Sequence, residues 1–311
     1  MLQMTLEIAP TISIGKAYSP CHITGFYSET RDESILKHGS IGAGISISKG
    51  VTTKVELYPH DKNNFNININ GVSSKDAIVS KFVVNEFLKR SRKKYFVKVN
   101  HQIDVPIGYG LGTSGSAALS LSYALNDALS LGLSDIESSQ IAHGAELHCK
   151  TGLGTVLSEY YGGLCIRLKG GAPGIGKTSV LRINNFKVAI FCFSPIFTRY
   201  FIESIGKISN HKCTKMMEKI LKTKDVVDFL DLSHDFSQSL KFLDKGCNSL
   251  MGLLTQNGFH CSAALFGQTV FTIVKENEIE EIRKISKKFP ARLFVSDIEN
   301  EGARLVSEHD T

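Results

Sequence analysis

The chain has 311 residues, of which 42% are hydrophobic and 21% are charged, and its formal net charge is +6. This composition excludes a fibrous or disordered chain and is typical of a globular protein, and the length favours two domains. The basic residues are spread along the chain without interleaved aromatic residues, so we expect no nucleic-acid partner.

The cysteines and the absence of apolar spans bear on the cellular compartment. Seven cysteines are scattered along the chain, and none forms a Cys-x-x-Cys pair. This spacing argues against a disulfide framework and against a zinc site. The chain shows no signal-peptide pattern and no apolar stretch long enough to span a membrane. We therefore expect a cytoplasmic protein without a membrane partner.

The first half of the chain is predicted to contain strands and then helices. The stretches GAGISI, GVTTKVELY and NFNINI alternate and are rich in β-branched residues, which indicates strands. A helix is predicted in SSKDAIVSKFVVNEFLKR and a strand in YFVKVNHQIDV. Two more helices are predicted in the Ala- and Leu-rich GSAALSLSYALNDALSLGL and in SDIESSQIAHGAELHCKTG, which opens with a Ser-x-x-Glu capping box.

The second half mixes the two element types without a steady alternation. Strands are predicted in GLCIRLKGG, FKVAIFCF, SAALFGQTVFTIV and ARLFVSDI. Helices are predicted over 199–222, over 225–254 and in ENEIEEIRKISKKF. The expected fold class is therefore α+β, with an N-terminal domain at 1–182 and a C-terminal domain at 183–311.

Residues 171–178 read GAPGIGKT and fit the phosphate-binding pattern G-x-x-x-x-G-K-[ST]. A true P-loop leaves a strand and opens a helix, because helix N-terminal amides help to bind the phosphates. The stretch after Lys177, TSVLRINNFKVAIFCF, is β-branched and has no helical stripe. We therefore predict a plain turn at 171–178.

A second glycine-rich stretch, PIGYGLGTSGSAAL at 106–119, passes the same test. A predicted strand precedes it and a long predicted helix follows directly. Its glycines permit close backbone approach, and the helix dipole favours an anion at the helix start. A tight helix entry with serine caps is the structural alternative. We favour phosphate binding.

This second stretch is similar to the ATP-phosphate loop of the GHMP kinases, which phosphorylate small metabolites such as galactose, homoserine and mevalonate. Five other stretches resemble, in order, the archaeal pantoate kinase branch of that family: AYSPCHITGFYS, HGSIGAGISISKGVTTKV, AHGAELHCKTGLGTV, GGLCIRLKGGAPGIG and SPIFTRYFI. The resemblance implies an N-terminal α+β domain with a left-handed crossover and a ferredoxin-like C-terminal domain. It also implies ATP, Mg²⁺ and a small hydroxy acid as ligands, and it leaves a homodimer open.

The resemblance implies roles for particular residues. Ser116 and Glu146 would be metal ligands and, with Thr155, the catalytic set. The ATP loop would comprise Pro106, Gly108, Gly110, Leu111, Gly112, Thr113, Ser114, Gly115, Ser116 and Ala117. The substrate pocket would comprise His22, Ser40, His143, Arg167 and Thr198. Without the family, Glu146 reads as a surface residue of a helix and Arg167 as a member of a strand-edge ion pair.

Thr155 departs from the family pattern, in which an Asp follows the Gly-Leu-Gly of the third stretch. The first interpretation is a pantoate kinase that works without this carboxylate, because phosphoryl transfer depends mostly on positioning and charge neutralisation. The second is a kinase for an already phosphorylated acid, mevalonate 3-phosphate, which a carboxylate at 155 would repel. The third is a silent, kinase-like ligand-binding regulator.

Overall fold

The computed structural model describes residues 13–196 and 210–307. Within these ranges the helices are α1 (Ile78–Arg90), α2 (Thr113–Leu129), α3 (Asp135–Cys149), α4 (Thr155–Tyr161), α5 (Asn210–Thr223), α6 (Val226–Leu240), α7 (Lys245–Gln256) and α8 (Ile279–Ser286). The strands are β1 (Ser13–Thr30), β2 (Gly39–Pro59), β3 (Asn64–Ile69), β4 (Val72–Ser73), β5 (Tyr95–Ile103), β6 (Leu164–Lys169), β7 (Lys177–Leu181), β8 (Lys187–Pro195), β9 (Cys261–Ala263), β10 (Gly267–Val274), β11 (Arg292–Asp297) and β12 (Arg304–Leu305).

The larger sheet is built on a long antiparallel hairpin of β1 and β2. Its strands run in the order β12-β1-β2-β5-β3-β4, and β6 and β7 extend it from another part of β2. The first part of β2 pairs with β6 and the second part, from Val51 onward, pairs with β5. Because β2 changes partner along its length, the ends of β5 and β6 lie on the same side of the hairpin. The end of β5 leads into the glycine loop, and β6 carries Arg167.

Helix α2 packs directly on the long hairpin. Most of its residues are buried, as expected from its Ala- and Leu-rich sequence. A side chain on Gly15 of β1 would clash with the carbonyl of Ala124, which explains why a glycine lies at this contact. The close approach fixes the second half of α2 relative to β1.

The smaller sheet has the order β11-β8-β10-β9, and all of its strand pairs are antiparallel. Helices α5, α6 and α7 connect β8 to β9, and α8 connects β10 to β11. This order and connectivity match the expected ferredoxin-like arrangement. Helix α6 also packs on β1, where Phe26 and Phe236 have ring centroids 6.2 Å apart. One hydrophobic core therefore joins the two sheets.

The α+β class is confirmed, and several predicted elements differ in detail. The predicted helix over 225–254 is two helices, because Lys241 adopts a positive φ of 52° and the carboxylate of Asp244 caps the next helix at Cys247. The predicted strand over 262–274 is two strands joined by a tight turn at Phe266, whose φ is 70°. Helix α4 and strands β1, β4, β7 and β12 were not individually predicted, and residues 199–209 of the predicted helix over 199–222 lie outside the described residues.

The predicted boundary between residues 182 and 183 lies between β7 and β8 and stays a prediction. After β11 the chain returns to the larger sheet, where Ala17 and Tyr18 of β1 pair with β12. Of the described residues, no helix has the length and apolar character needed to cross a lipid bilayer.

Candidate active site

The glycine loop at 106–112 connects β5 to α2, as the sequence predicted. Gly108, Gly110 and Gly112 all have positive φ values, of 89°, 73° and 71°. Gly112 is the residue immediately before the first turn of α2, so the loop delivers the chain into the helix without a side chain at this point. The first N–H groups of a helix lack partners within it and attract anions. This geometry suits a bound phosphate.

A cleft opens over this loop. It is bounded by the loop, by the hairpin and by the segment that leads into α4. Its lining residues are Thr24, Tyr27, Ser40, Gly108, Gly110, Leu111, Gly112, Thr113, Ser114, Thr151, Gly152, Leu153, Gly154, Thr155, Arg167 and Phe266. Nine of the residues that the sequence analysis named are therefore brought to one place. They are Ser40, Gly108, Gly110, Leu111, Gly112, Thr113, Ser114, Thr155 and Arg167.

Glu146 lies behind the wall of this cleft on α3. Its Oε1 accepts hydrogen bonds from Ser114 Oγ at 2.7 Å and from Thr151 Oγ1 at 2.6 Å. Burial raises the pKa of the Glu146 carboxyl, and these two hydroxyls partly offset that rise. A carboxylate flanked by hydroxyls is a donor set of hard oxygens, which is what Mg²⁺ prefers. The residues present therefore fit a divalent cation.

Ser116 differs from its expected placement at the phosphates. Its side chain is fully buried, and its Oγ is 2.8 Å from each of the carbonyl oxygens of Ser19 and Pro20 in β1. The hydroxyl therefore faces the interior and ties α2 to the hairpin. The serine whose hydroxyl lies in the cleft beside Glu146 is Ser114, two residues earlier.

Arg167 of β6 is a buried guanidinium that lines the cleft. Nη1 donates to Ser158 Oγ at 2.8 Å and contacts His22 Nε2 at 3.5 Å, while its buried Nε has no hydrogen-bond partner. Across the described ranges, no carboxylate forms an ion pair with it. Burial lowers the pKa of Arg167, and burial with the nearby guanidinium lowers the pKa of His22 well below its usual value.

The segment at Gly154 brings two cleft residues together. A Cβ on Gly154 would lie 2.6 Å from Ser40 Oγ and 3.4 Å from Arg167 Nε. A larger residue at 154 would therefore fill the space that these two polar groups face. A hydroxyl and a guanidinium converging on one open space can bind a carboxylate.

Thr155 begins α4 and lines the same cleft. One turn later on α4 lies Glu159, which the sequence analysis did not name. It is fully buried, and neither of its carboxylate oxygens has a hydrogen-bond partner. Burial and then the nearby Glu146 raise the pKa of this carboxyl well above its usual value. A signal was present in the sequence, because Glu159 is a lone acidic residue in the otherwise uncharged stretch TVLSEYYGG.

Other expected site residues lie near the cleft without lining it. His143 is buried on α3, where its Nε2 lies 3.0 Å from the carbonyl oxygen of His38 and holds the loop before β2. Pro106 precedes the glycines, and Gly115 and Ala117 are buried within α2. Thr198 lies outside the described residues. His143 is therefore in a position to shape the pocket only through the loop that it supports.

The P-loop-like stretch GAPGIGKT is a turn, as predicted. No helix follows it, because Lys177 is an exposed first residue of β7. None of its residues lines the cleft over the glycine loop. The geometry that suits a bound phosphate is therefore found at 106–119 and not at 171–178.

Comparisons with known proteins agree with this geometry. The family model described as GHMP kinases N terminal domain matches residues 77–163, which span α1 to α4. The chain is 30% identical to the pantoate kinase of Methanocaldococcus jannaschii over 273 residues, covering 87% of this chain and 96% of that protein. It is 29% identical to the pantoate kinase of Thermococcus kodakarensis over 276 residues, covering 87% of this chain and 91% of that protein.

Among solved structures, one described as a phosphotransferase related to the CoA biosynthesis pathway is similar over nearly the whole chain. The TM-score is 0.86 at 25% sequence identity, and the match covers 95% of this chain and 99% of that one. The glycine loop, the cleft above it and these full-length similarities lead to one conclusion. The chain belongs to the GHMP kinase family.

Proposed function

We propose that this protein is a pantoate kinase, which transfers the γ-phosphoryl group of ATP to the primary hydroxyl of pantoate and gives 4-phosphopantoate. The similar proteins that carry this name span most of the chain. The single structural observation that carries the proposal is Arg167, a buried guanidinium in the cleft that has no anionic partner among residues 13–196 and 210–307.

An unpaired buried cation is costly, so its presence indicates that a ligand supplies the counter-charge. Arg167 is 2% exposed, lines the cleft and has a buried Nε without a partner. The guanidinium fork matches the geometry of a carboxylate. Ser40 lies beside it and offers a hydroxyl to the same ligand. A small hydroxy acid whose carboxylate binds here would place its hydroxyl in the remaining cleft.

The glycine loop and the start of α2 would bind the phosphates of ATP. Glu146 would hold the accompanying Mg²⁺, with Ser114 beside it in place of Ser116. The cation, when bound, neutralises charge on the phosphate oxygens. Ser114 and Thr151 orient the Glu146 carboxylate through their hydrogen bonds to Oε1. Ser116 would act at a distance, by fixing α2 on β1.

Thr155 offers no proton acceptor at neutral pH, since its side chain is a hydroxyl. This does not preclude catalysis. Phosphoryl transfer passes through a loose transition state, and a general base contributes about 10²- to 10⁴-fold in many enzymes. The fixed parts of the cleft, namely the loop, Glu146 and Arg167, would supply positioning and charge neutralisation.

The test is a coupled ADP-release assay with ATP and Mg²⁺, offering pantoate, pantothenate, mevalonate and mevalonate 3-phosphate in parallel. We expect turnover of pantoate and none of pantothenate, which lacks a free carboxylate next to the hydroxylated carbons. Mass spectrometry of the product would establish that one phosphoryl group has been added. An absence of turnover with pantoate would refute the proposed function.

One observation favours a second candidate, mevalonate 3-phosphate. Thr155 lines the cleft where the family pattern has a carboxylate, so a substrate that carries an extra phosphate would meet no repulsion there. Turnover of this acid and not of pantoate would identify mevalonate 3-phosphate as the substrate. Tight ATP binding without turnover of any acid would favour a regulator.

A further inference from the structure

Glu159 is a buried carboxylate that the proposed function does not use. Its relative exposure is 0%, and both of its carboxylate oxygens lack hydrogen-bond partners among the described residues. A buried carboxylate without hydrogen bonds or a counter-charge is costly. Such a group indicates that a ligand completes its surroundings.

Two glycines of the phosphate loop and α2 give this carboxylate its space. A Cβ on Gly112 would lie 2.7 Å from Glu159 Oε1, and a Cβ on Gly115 would lie 2.7 Å from Glu159 Oε2. The same Cβ on Gly115 would lie 3.2 Å from Glu146 Oε2. The two carboxylates therefore converge on one point of α2, at which the absence of a side chain leaves them room.

The position of Glu159 on α4 relates it to Thr155. Residues four apart lie on the same face of a helix, and side chains lean toward the helix N-terminus. The carboxylate of Glu159 lies against Gly112, which lines the cleft as Thr155 does. A glutamate at i+4 can bring a carboxylate near the place where an aspartate at position i would put one.

We propose that Glu159 is the second carboxylate of a divalent-cation site centred on Glu146, and that it supplies the negative charge that Thr155 lacks. The inference rests on the proposed function for the identity of the nucleotide, and it does not depend on which acid is the substrate. With Glu159, the protein would supply two carboxylates to the cation instead of one. Hard oxygen ligands of this kind suit Mg²⁺ or Mn²⁺.

The test measures cation binding directly. Mn²⁺ affinity is determined by electron paramagnetic resonance in the presence of a non-hydrolysable ATP analogue, for wild type, Glu159→Gln and Glu146→Gln. The matched control is Glu281→Gln, which removes an exposed carboxylate from α8. We expect Glu159→Gln to weaken Mn²⁺ binding about 10-fold or more, and the control to leave it unchanged.

A charge-relocation variant separates a lost ligand from a general disturbance. Thr155→Asp combined with Glu159→Gln moves the carboxylate one helical turn and keeps the total charge. We expect this double variant to recover most of the Mn²⁺ affinity that Glu159→Gln loses. Circular dichroism and analogue binding without metal would show whether each variant is folded.

An independent measurement needs no variant. In crystals of the wild-type protein with Mn²⁺ and the analogue, the anomalous signal of the cation should lie within ligand distance of both glutamates. Wild-type Mn²⁺ affinity in Glu159→Gln, or a cation bound to Glu146 alone, would overturn the inference. A failure of the proposed function would give a different result. Pantoate would not be turned over, but Glu159→Gln would still weaken cation binding.

Discussion

Two consecutive residues of α4 lie beside buried ionisable groups of the cleft. Ser158 Oγ accepts a hydrogen bond from Arg167, and the next residue, Glu159, lies beside the loop glycines and Glu146. Under the proposed function, Arg167 would bind the carboxylate of the acid, and Glu146 and Glu159 would bind the cation. Among the described residues Arg167 has no carboxylate partner, so a bound acid would supply its counter-charge.

Replacing Arg167 with Lys should impair recognition of the acid. Lysine keeps the charge but loses the planar fork, and its ammonium cannot make the same paired contacts. We expect the KM for pantoate to rise about 30-fold or more, as follows from a loss of at least about 2 kcal/mol for a buried charged pair. Steady-state kinetics with the acid and with ATP varied separately would measure this. The KM for ATP should stay near its wild-type value, and an equal rise in both would contradict the assignment.

Ser114 and Ser116, both in the first turn of α2, should respond differently to substitution with alanine. Ser114→Ala removes a hydroxyl that contacts Glu146, so we expect a lower kcat and weaker cation dependence. Ser116→Ala removes two buried contacts to β1, so we expect a loss of about 1–3 kcal/mol in the free energy of unfolding with kcat largely retained. Urea denaturation and ADP release would measure the two effects. Lys177→Ala is the control and should change neither.

At the scale of elements, His101 of β5 connects four elements in a buried polar network. Its Nδ1 lies 2.7 Å from Thr53 Oγ1 of β2, and its Nε2 lies 3.0 Å from Ser80 Oγ of α1. Thr53 Oγ1 in turn lies 2.7 Å from Ser120 Oγ of α2. Burial lowers the pKa of His101 from 6.5 to about 4. The neutral imidazole therefore helps to fix α1 and α2 on the sheet that positions the glycine loop.

This network should make stability depend on pH. Because the pKa of His101 is lower in the folded than in the unfolded state, the unfolded state binds more protons between pH 6.5 and 4. The stabilising contribution of the neutral His101 is complete above pH 6.5 and decreases as the pH falls toward 4. We expect His101→Gln to reduce the pH dependence of the unfolding free energy by up to about 1.4 kcal/mol per pH unit. Urea denaturation at pH 7.5 and 5 would measure it, and an unchanged slope would contradict the prediction. The exposed His211→Gln is the control.

At the scale of the whole molecule, the glycine loop touches the second sheet. A side chain on Gly110 would clash with the carbonyl of Leu265, and one on Gly267 would clash with the backbone of Tyr109. The rings of Tyr27 and Phe266, which both line the cleft, have centroids 5.6 Å apart. The cleft is therefore closed on one side by the turn between β9 and β10, and its shape depends on how the two sheets pack.

Gly110→Ala should disturb both stability and ATP binding. The matched control is Gly132→Ala, since Gly132 has a similar positive φ of 68° and no atoms within 4 Å of an added Cβ. The control should lose only about 1–2 kcal/mol in the free energy of unfolding, because alanine disfavours the left-handed conformation. We expect a clearly larger loss for Gly110→Ala, together with a higher KM for ATP. Equal losses in denaturation would show that the contact with Leu265 is unimportant.

Local signals in the sequence predicted most element types and the position of the glycine loop. Hydrophobic periodicity, the capping box at Ser134 and the strand–glycine–helix order at 106–119 are such signals, and the described residues contain most of the elements that they predicted. The family resemblance added Glu146 and Arg167 as candidates. The break between α6 and α7 was missed, because a continuous helical pattern hides a cap at Asp244 unless the left-handed Lys241 is known.

Which side chains face the cleft depends on how the elements pack together. Ser114 and Ser116 are two apart, so on a helix they point in different directions, and only packing against β1 determines which one is buried. The burial of Glu159, the burial of Arg167 and the contact of the loop with Leu265 all involve segments distant in sequence. Local patterns carry no information on such contacts, because burial and charge compensation are properties of the assembled fold.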